Sequence, residues 1–176
     1  MRPLLLVPAI AALGLAVPAA AALPVGAKAP DFETTGAIAG KPFKLNLADQ
    51  LKKGPIVLYF FPKAFTSGCT AEAHAFSEAA KTFRKSGAQV IGMSADDLPT
   101  LQRFSVEACR KAFPVASASP STIKAYDVAL PLFGMTNRTS YVIARDGTIA
   151  MSYSKLDWKE HVTRSLAAVQ ALSKKH

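Results

Sequence analysis

Gly54-Pro55 breaks the chain just before six apolar residues in a row, Ile56-Val57-Leu58-Tyr59-Phe60-Phe61, and Pro62 closes the run. A strand with one wet face alternates apolar and polar side chains. A strand that is apolar at every position has to be covered on both faces. The next signal is helical. Cys69, Ala73, Phe76, Ala80 and Phe83 recur at steps of three and four, which predicts a helix from about Cys69 to Lys85 with one buried stripe, closed by Gly87. Ala88 to Ser94, centred on Val90-Ile91, then reads as a second buried strand. Strand, helix and strand within about forty residues form a βαβ unit with parallel strands.

The rest of the chain can be placed around that unit. Phe32 to Leu47, with Gly36, Gly40 and Pro42, suggests a hairpin or loose strands. Asp96, Asp97 and Pro99 open a helix predicted over Pro99 to Ala112, with Leu101, Phe104, Ala108 and Ala112 on its apolar stripe. Phe113 to Ala116 reads as extended, and Ser119-Pro120 starts a short helix through Tyr126. Ala129 to Asn137 reads as a loop. Ser140 to Ala144 and Thr148 to Tyr153 flank Asp146-Gly147, a hairpin signal. A last amphipathic helix is expected over Asp157 to Leu172, burying Trp158, Val162, Leu166 and Val169. The order describes one α/β sandwich with a mixed sheet.

Residues 1–22 read as a signal peptide. Arg2 supplies one positive charge, Leu4 to Val17 is apolar apart from Pro8 and Gly14, and Ala20-Ala21-Ala22 fits the small-x-small cleavage pattern. The apolar stretch is short of the about 20 residues that span a bilayer. The mature domain is therefore expected at residues 23–176, exported, with the periplasm as its compartment, where paired cysteines can oxidise. The formal net charge is +9, and losing Arg2 leaves +8. The lysines and arginines are scattered, so the charge reads as a solvated surface and not a nucleic-acid site. The two cysteines, Cys69 and Cys109, form no Cys-x-x-Cys pair, and with three histidines they show no zinc-ligand spacing.

The informative loop is Pro62-Lys63-Ala64-Phe65-Thr66-Ser67-Gly68-Cys69. It leaves the C-terminal end of the buried strand and enters a helix N-terminus, where open α/β sheets place their crevices. Free N–H groups and the positive end of the helix stabilise a thiolate there. Thr66 can turn its hydroxyl toward the sulfur or toward a bound oxygen, and Gly68 leaves the backbone open to a ligand. Position alone leaves two readings: a reactive thiol, or a small buried hydrophobe.

The spacing Pro62-x-x-x-Thr66-x-x-Cys69 resembles the active-site signature of the peroxiredoxins. Gly26-x-Lys28-Ala29-Pro30-Asp31-Phe32 is similar to the family's opening. Val57 to Lys63 and Gly68-Cys69-Thr70-x-Glu72 resemble its branch called PrxQ or bacterioferritin comigratory protein, within the AhpC/TSA superfamily. Val90 to Ser94, Arg138 to Ile143 and Asp146-Gly147 continue the match in order, which is more specific than any one motif. The resemblance implies a thioredoxin-like fold and a thiol-dependent peroxidase acting on hydrogen peroxide and organic hydroperoxides. It implies Cys69 as the peroxidatic nucleophile, which becomes a sulfenic acid. It implies Thr66 as the peroxide-binding hydroxyl, Pro62 as a shield against water, Arg138 as the fixed charge beside the sulfur, and the N–H groups of Gly68 and Cys69 as the rest of the pocket. Glu72 can tune Cys69, or serve only as a first-turn acid.

One departure matters. Many members of the branch carry a resolving cysteine five residues after the first, where this chain has His74. Some relatives carry it in the helix that here holds Cys109, so a Cys69–Cys109 disulfide is the preferred reading, with the first turn around Cys69 unwinding to allow it and Arg110 and Lys111 favouring the Cys109 thiolate. The alternative is a buried structural cysteine with an external thiol as resolver. The expected partners are a peroxide and a thiol reductant such as a thioredoxin-like protein. No cofactor, metal, nucleic acid or stable membrane association is expected, and the chain is expected to be a monomer or weak dimer. The competing functions are an exported thioredoxin-fold copper carrier using Cys69, His74 and Cys109, and a thiol–disulfide oxidoreductase.

Overall fold

The computed structural model describes residues 22–130 and 134–174. All but one residue of the expected signal peptide lie outside them. The elements run β1 (Glu33–Ile38), β2 (Lys41–Asn46), α1 (Leu47–Leu51), β3 (Ile56–Phe60), α2 (Ser67–Lys85), β4 (Gln89–Ser94), α3 (Leu98–Glu107), β5 (Val115–Ser117), α4 (Pro120–Ala125), β6 (Ala129–Leu130), β7 (Met135–Thr136), β8 (Thr139–Ile143), β9 (Ile149–Ser154) and α5 (His161–Ser173). Seven strands form one mixed sheet in the order β2-β1-β5-β4-β3-β8-β9, and β6 pairs with β7 in a separate ribbon.

The apolar run sits where its composition requires. β3 is flanked by β4, parallel, and by β8, antiparallel. Its odd-numbered side chains, Val57, Tyr59 and Phe61, face a core shared with α2, α3 and α5. Its even-numbered ones, Ile56, Leu58 and Phe60, face a second core closed by α1 and α4. The period-2 geometry of a strand thus divides six consecutive apolar residues between two cores.

Several expectations need correction. α2 starts two residues earlier than expected, at Ser67, and keeps Cys69 within its first turn. α3 ends at Glu107, and Arg110 and Lys111 both adopt left-handed φ values, 50° and 60°. Cys109 and Ala112 therefore lie past the helix, in a turn. The predicted loop Ala129 to Asn137 carries the small ribbon β6–β7, and residues 131–133 lie outside the described part. α5 starts four residues late. Its fully buried positions are His161, Ser165 and Val169, while Trp158, Val162 and Leu166 are only partly covered. Among the described residues, no helix is long and apolar enough to cross a membrane.

Candidate active site

β3 delivers the chain to the site. The Phe61 N–H continues the ladder to the Met93 carbonyl at 2.9 Å. Pro62 has no N–H, and the pairing stops there. The loop is then pinned from two sides. The Ala64 N–H donates to Asp96 Oδ2 at 2.7 Å, and the Ser94 hydroxyl donates to the same oxygen at 2.8 Å. The Thr136 hydroxyl donates to the Phe61 carbonyl at 2.6 Å. Phe65 takes a left-handed φ of 65°, packs edge-on against Phe104 of α3, and carries the Arg103 guanidinium over its ring. A non-glycine residue in that region is held by its surroundings and tends to mark a working loop.

Thr66 is the N-cap of α2, but its hydroxyl does not cap. It donates instead to the Lys63 carbonyl at 3.0 Å. The N–H groups of Ser67, Gly68 and Cys69 open the helix and have no partner within it. They remain available to an anionic oxygen above the first turn. Cys69 is 1 % exposed and belongs to the core cluster beneath. Pro62 is half-buried and Thr66 exposed at the rim.

Arg138 enters from the start of β8 and is 6 % exposed. One of its terminal nitrogens, Nη2, lies 3.4 Å from Cys69 Sγ. Its Nε–H donates to the Leu156 carbonyl at 2.8 Å, and Nη1 pairs with Glu72 Oε2. All three groups of the fork are thus occupied, which fixes its plane. Burial works against the charge of Arg138, but Glu72 and Cys69 more than offset it and hold the guanidinium above its ordinary value.

Glu72 was expected in the first turn, but α2 begins at Ser67 and has no acid there; Glu72 lies in the second turn, at a depth not foreseen. It is fully buried under Arg138. Burial pushes its carboxyl up to about 8, with Arg138 pulling the other way. A guanidinium keeps its proton at any working pH. The member of the pair that titrates is therefore Glu72. Its second oxygen, Oε1, has no hydrogen-bond partner and lies 3.8 Å from His161 Nδ1. His161 and Ser140 escaped the sequence reading. The available signal was that His161 shares an i, i+4, i+8 stripe with Ser165 and Val169.

Of the residues expected at the site, Cys69 and Arg138 are in direct contact, and Pro62 and Thr66 lie on the loop that leads from β3 into the first turn of α2. Cys109 is not bonded to Cys69. It is a free thiol, fully buried in the same core cluster as Cys69. Burial pushes its thiol well up, against the expectation that Arg110 and Lys111 would favour the thiolate. Arg110 points outward to Glu78 at 3.3 Å, and the turn leaves Lys111 exposed. His74 is half-buried and off the Cys69 stripe.

The family model described as the AhpC/TSA family matches residues 25–152. The chain is 31 % identical to the chloroplastic peroxiredoxin Q of Oryza sativa subsp. japonica over 97 % of this chain and 88 % of that protein. Among solved structures, peroxidoxin BcpB from Mycobacterium tuberculosis superposes with a TM-score of 0.73 at 31 % identity, covering 84 % of this chain and 97 % of that one. The reduced 2-Cys peroxiredoxin of Plasmodium vivax shares the fold at a TM-score of 0.77 and 21 % identity, over 86 % of this chain and 97 % of that one. The fold is thioredoxin-like, as the motif series implied. With Pro62, Thr66, Cys69 and Arg138 gathered at the end of β3, the chain belongs to the AhpC/TSA family, in its peroxiredoxin Q branch.

Proposed function

We propose that the chain reduces hydrogen peroxide and organic hydroperoxides with Cys69 as the attacking thiolate. The observation that carries this is the Arg138 nitrogen 3.4 Å from a buried Cys69 sulfur in the first turn of α2. The sulfur attacks one peroxide oxygen. An S–O bond forms, the O–O bond breaks, and Cys69 becomes a sulfenic acid. The other oxygen leaves with the electron pair, takes up a proton, and departs as water or an alcohol. Arg138 and the free N–H groups at the head of α2 stabilise the charge on that oxygen. Thr66 offers the peroxide a hydroxyl at the rim, and Pro62 keeps water off the sulfur. Stopped-flow mixing with peroxide tests this. Wild-type protein is expected to consume peroxide with a thiol reductant, and Cys69→Ser to have no activity. Full activity in Cys69→Ser overturns the assignment.

The reductant is a thioredoxin-like thiol protein. In our reading Cys109 resolves the sulfenic acid: its sulfur displaces water from Cys69, and the disulfide is then reduced back to two thiols. Membership of both cysteines in one core cluster supports the pairing, and the buried Cys109 requires the turn after α3 to open first. Mass spectrometry after one equivalent of peroxide is expected to show a loss of two hydrogens. A stable gain of one oxygen at Cys69 rejects Cys109 as resolver.

Export to the periplasm rests on the pattern of residues 1–22. The Leu23 N–H meets the Tyr141 hydroxyl at 3.1 Å, so the folded body takes hold of the chain where cleavage is expected. The mature N-terminus, measured by mass spectrometry of protein from the native host, is expected at Leu23. An intact Met1 in the cytosolic fraction refutes export.

A further inference from the structure

His161 is the first residue of α5 and is fully buried, with both ring nitrogens engaged. Nε2 lies 2.9 Å from the Lys155 carbonyl, and Nδ1 lies 2.8 Å from the Ser140 hydroxyl. A carbonyl can only accept, so Nε2 carries the hydrogen. Burial holds the ring neutral, with its titration pushed down to about 4. Nδ1 is therefore a bare acceptor for the Ser140 O–H. The other groups facing the ring are Glu72 from α2, the Tyr153 ring from β9 at 4.8 Å, and the charges of Arg138, Asp157 and Arg164.

The two carbonyls beyond β9 have different owners. His161 holds Lys155, and Arg138 holds Leu156, the next one along. The Lys155 N–H in turn donates to the Arg138 carbonyl at 3.2 Å. The segment that sets the plane of the Arg138 fork is thus tied down by His161 one residue away.

We propose that His161 is a positioning residue for the peroxidatic site: through Lys155 it fixes the turn whose Leu156 carbonyl aims Arg138 at Cys69. This rests on the assignment of Cys69 and Arg138 to peroxide reduction. It adds a residue outside the motif loop, acting through the backbone and not through contact with peroxide. A neutral imidazole does this without competition. With its hydrogen on Nε2, it has none to offer Glu72, and Arg138 is left as the hydrogen-bond partner of that carboxyl.

The test compares two amides. The His161→Gln side chain is long enough to put an N–H near the position of Nε2 and keep the Lys155 tie. His161→Asn reaches only as far as Nδ1 and loses it. The readouts are the rate of Cys69 oxidation by peroxide and the rate of Cys69 alkylation at neutral pH, in a Cys109→Ala background, with thermal melts confirming that both variants fold. Trp158, the one tryptophan in the chain, sits near Gly68: a Cβ there would lie 3.9 Å from its ring. It serves as a built-in fluorescent reporter. His161→Asn is expected to slow oxidation about tenfold or more, because small misplacements of a catalytic group are costly. His161→Gln is expected to recover to within about threefold of wild type on the same ground. Equal rates in Asn and wild type, or equal losses in Gln and Asn, overturn the proposal. Nitrogen-15 NMR of wild-type protein checks it without any variant: the Nε2–H tautomer is expected, and the Nδ1–H tautomer refutes it. If wild-type protein does not react with peroxide, the peroxidase reading fails, and the alkylation rates and the tautomer still decide the positioning role.

Discussion

Tyr59 carries a hydroxyl that nothing in the core satisfies. Its ring stacks on Phe76 at 4.3 Å, and Gly92 on the neighbouring strand leaves room for the phenol end. A buried donor without a partner keeps its full desolvation cost, so Tyr59→Phe is expected to stabilise the protein by about 1 kcal/mol. Urea unfolding checks this, and a loss of stability refutes it. A Cβ on Gly92 would meet that ring at 2.8 Å, so Gly92→Ala is expected to cost about 1–3 kcal/mol through overpacking. At the site, Arg138→Lys keeps the charge and loses the fork. A single ammonium cannot face Leu156, Glu72 and Cys69 at once, and the peroxide rate constant is expected to fall about tenfold or more. Unchanged kinetics in stopped-flow would show that charge alone suffices. The residues around Cys69 were legible because the motif loop is contiguous in sequence. Glu72 was only half legible. An acid near a helix start looks the same whether it faces water or, as here, an arginine that arrives sixty-six residues later.

α2 was the most legible element, since all five stripe residues from Cys69 to Phe83 are buried in the structure. α3 was not. Nothing in the sequence before Pro114 breaks a helix, so the apolar period carried the prediction through Ala112. The chain instead turns after Glu107 to bury Cys109, with Arg110 and Lys111 forced into left-handed backbone. That conformation costs an L-residue about 1 kcal/mol, which glycine avoids. Lys111→Gly is therefore expected to gain up to about 1 kcal/mol in urea unfolding, less the extra freedom glycine brings to the unfolded chain. A net loss would mean that the strain is relieved elsewhere. α5 shows a third kind of miss. Its apolar residues are spread widely enough to allow more than one inward face, and packing on β8 and β9 chose the one through His161, Ser165 and Val169.

Across the whole molecule, two buried groups set opposing pH dependences. Glu72 rises from 4.5 unfolded to about 8 folded. The stability it contributes is complete below 4.5 and is lost as pH climbs through 8. His161 falls from 6.5 to about 4. The stability it contributes is complete above 6.5 and is lost as pH drops through 4. Between 4.5 and 6.5 the two slopes cancel, and from 6.5 to 8 the Glu72 slope acts alone. Wild-type stability is expected to decline over that upper window, and Glu72→Gln to remove the decline. An equally steep fall in Glu72→Gln would show that another group titrates there. The double core and the parallel pairing of β3 with β4 followed from one apolar hexapeptide and its flanks, while the order of the other strands did not. The polar cluster beneath the site did not, because it is assembled from α2, β8 and α5 and exists only once they pack. The seating of Cys109 in the core has a consequence in time. On the proposed pairing, a newly oxidised Cys69 waits for the turn after α3 to release Cys109, and during that wait a second peroxide molecule can carry the sulfur on to sulfinic acid. If Cys109 resolves Cys69, the oxidant dose at which the chain disables itself is set by a race between the opening of a packed turn and the arrival of that second peroxide.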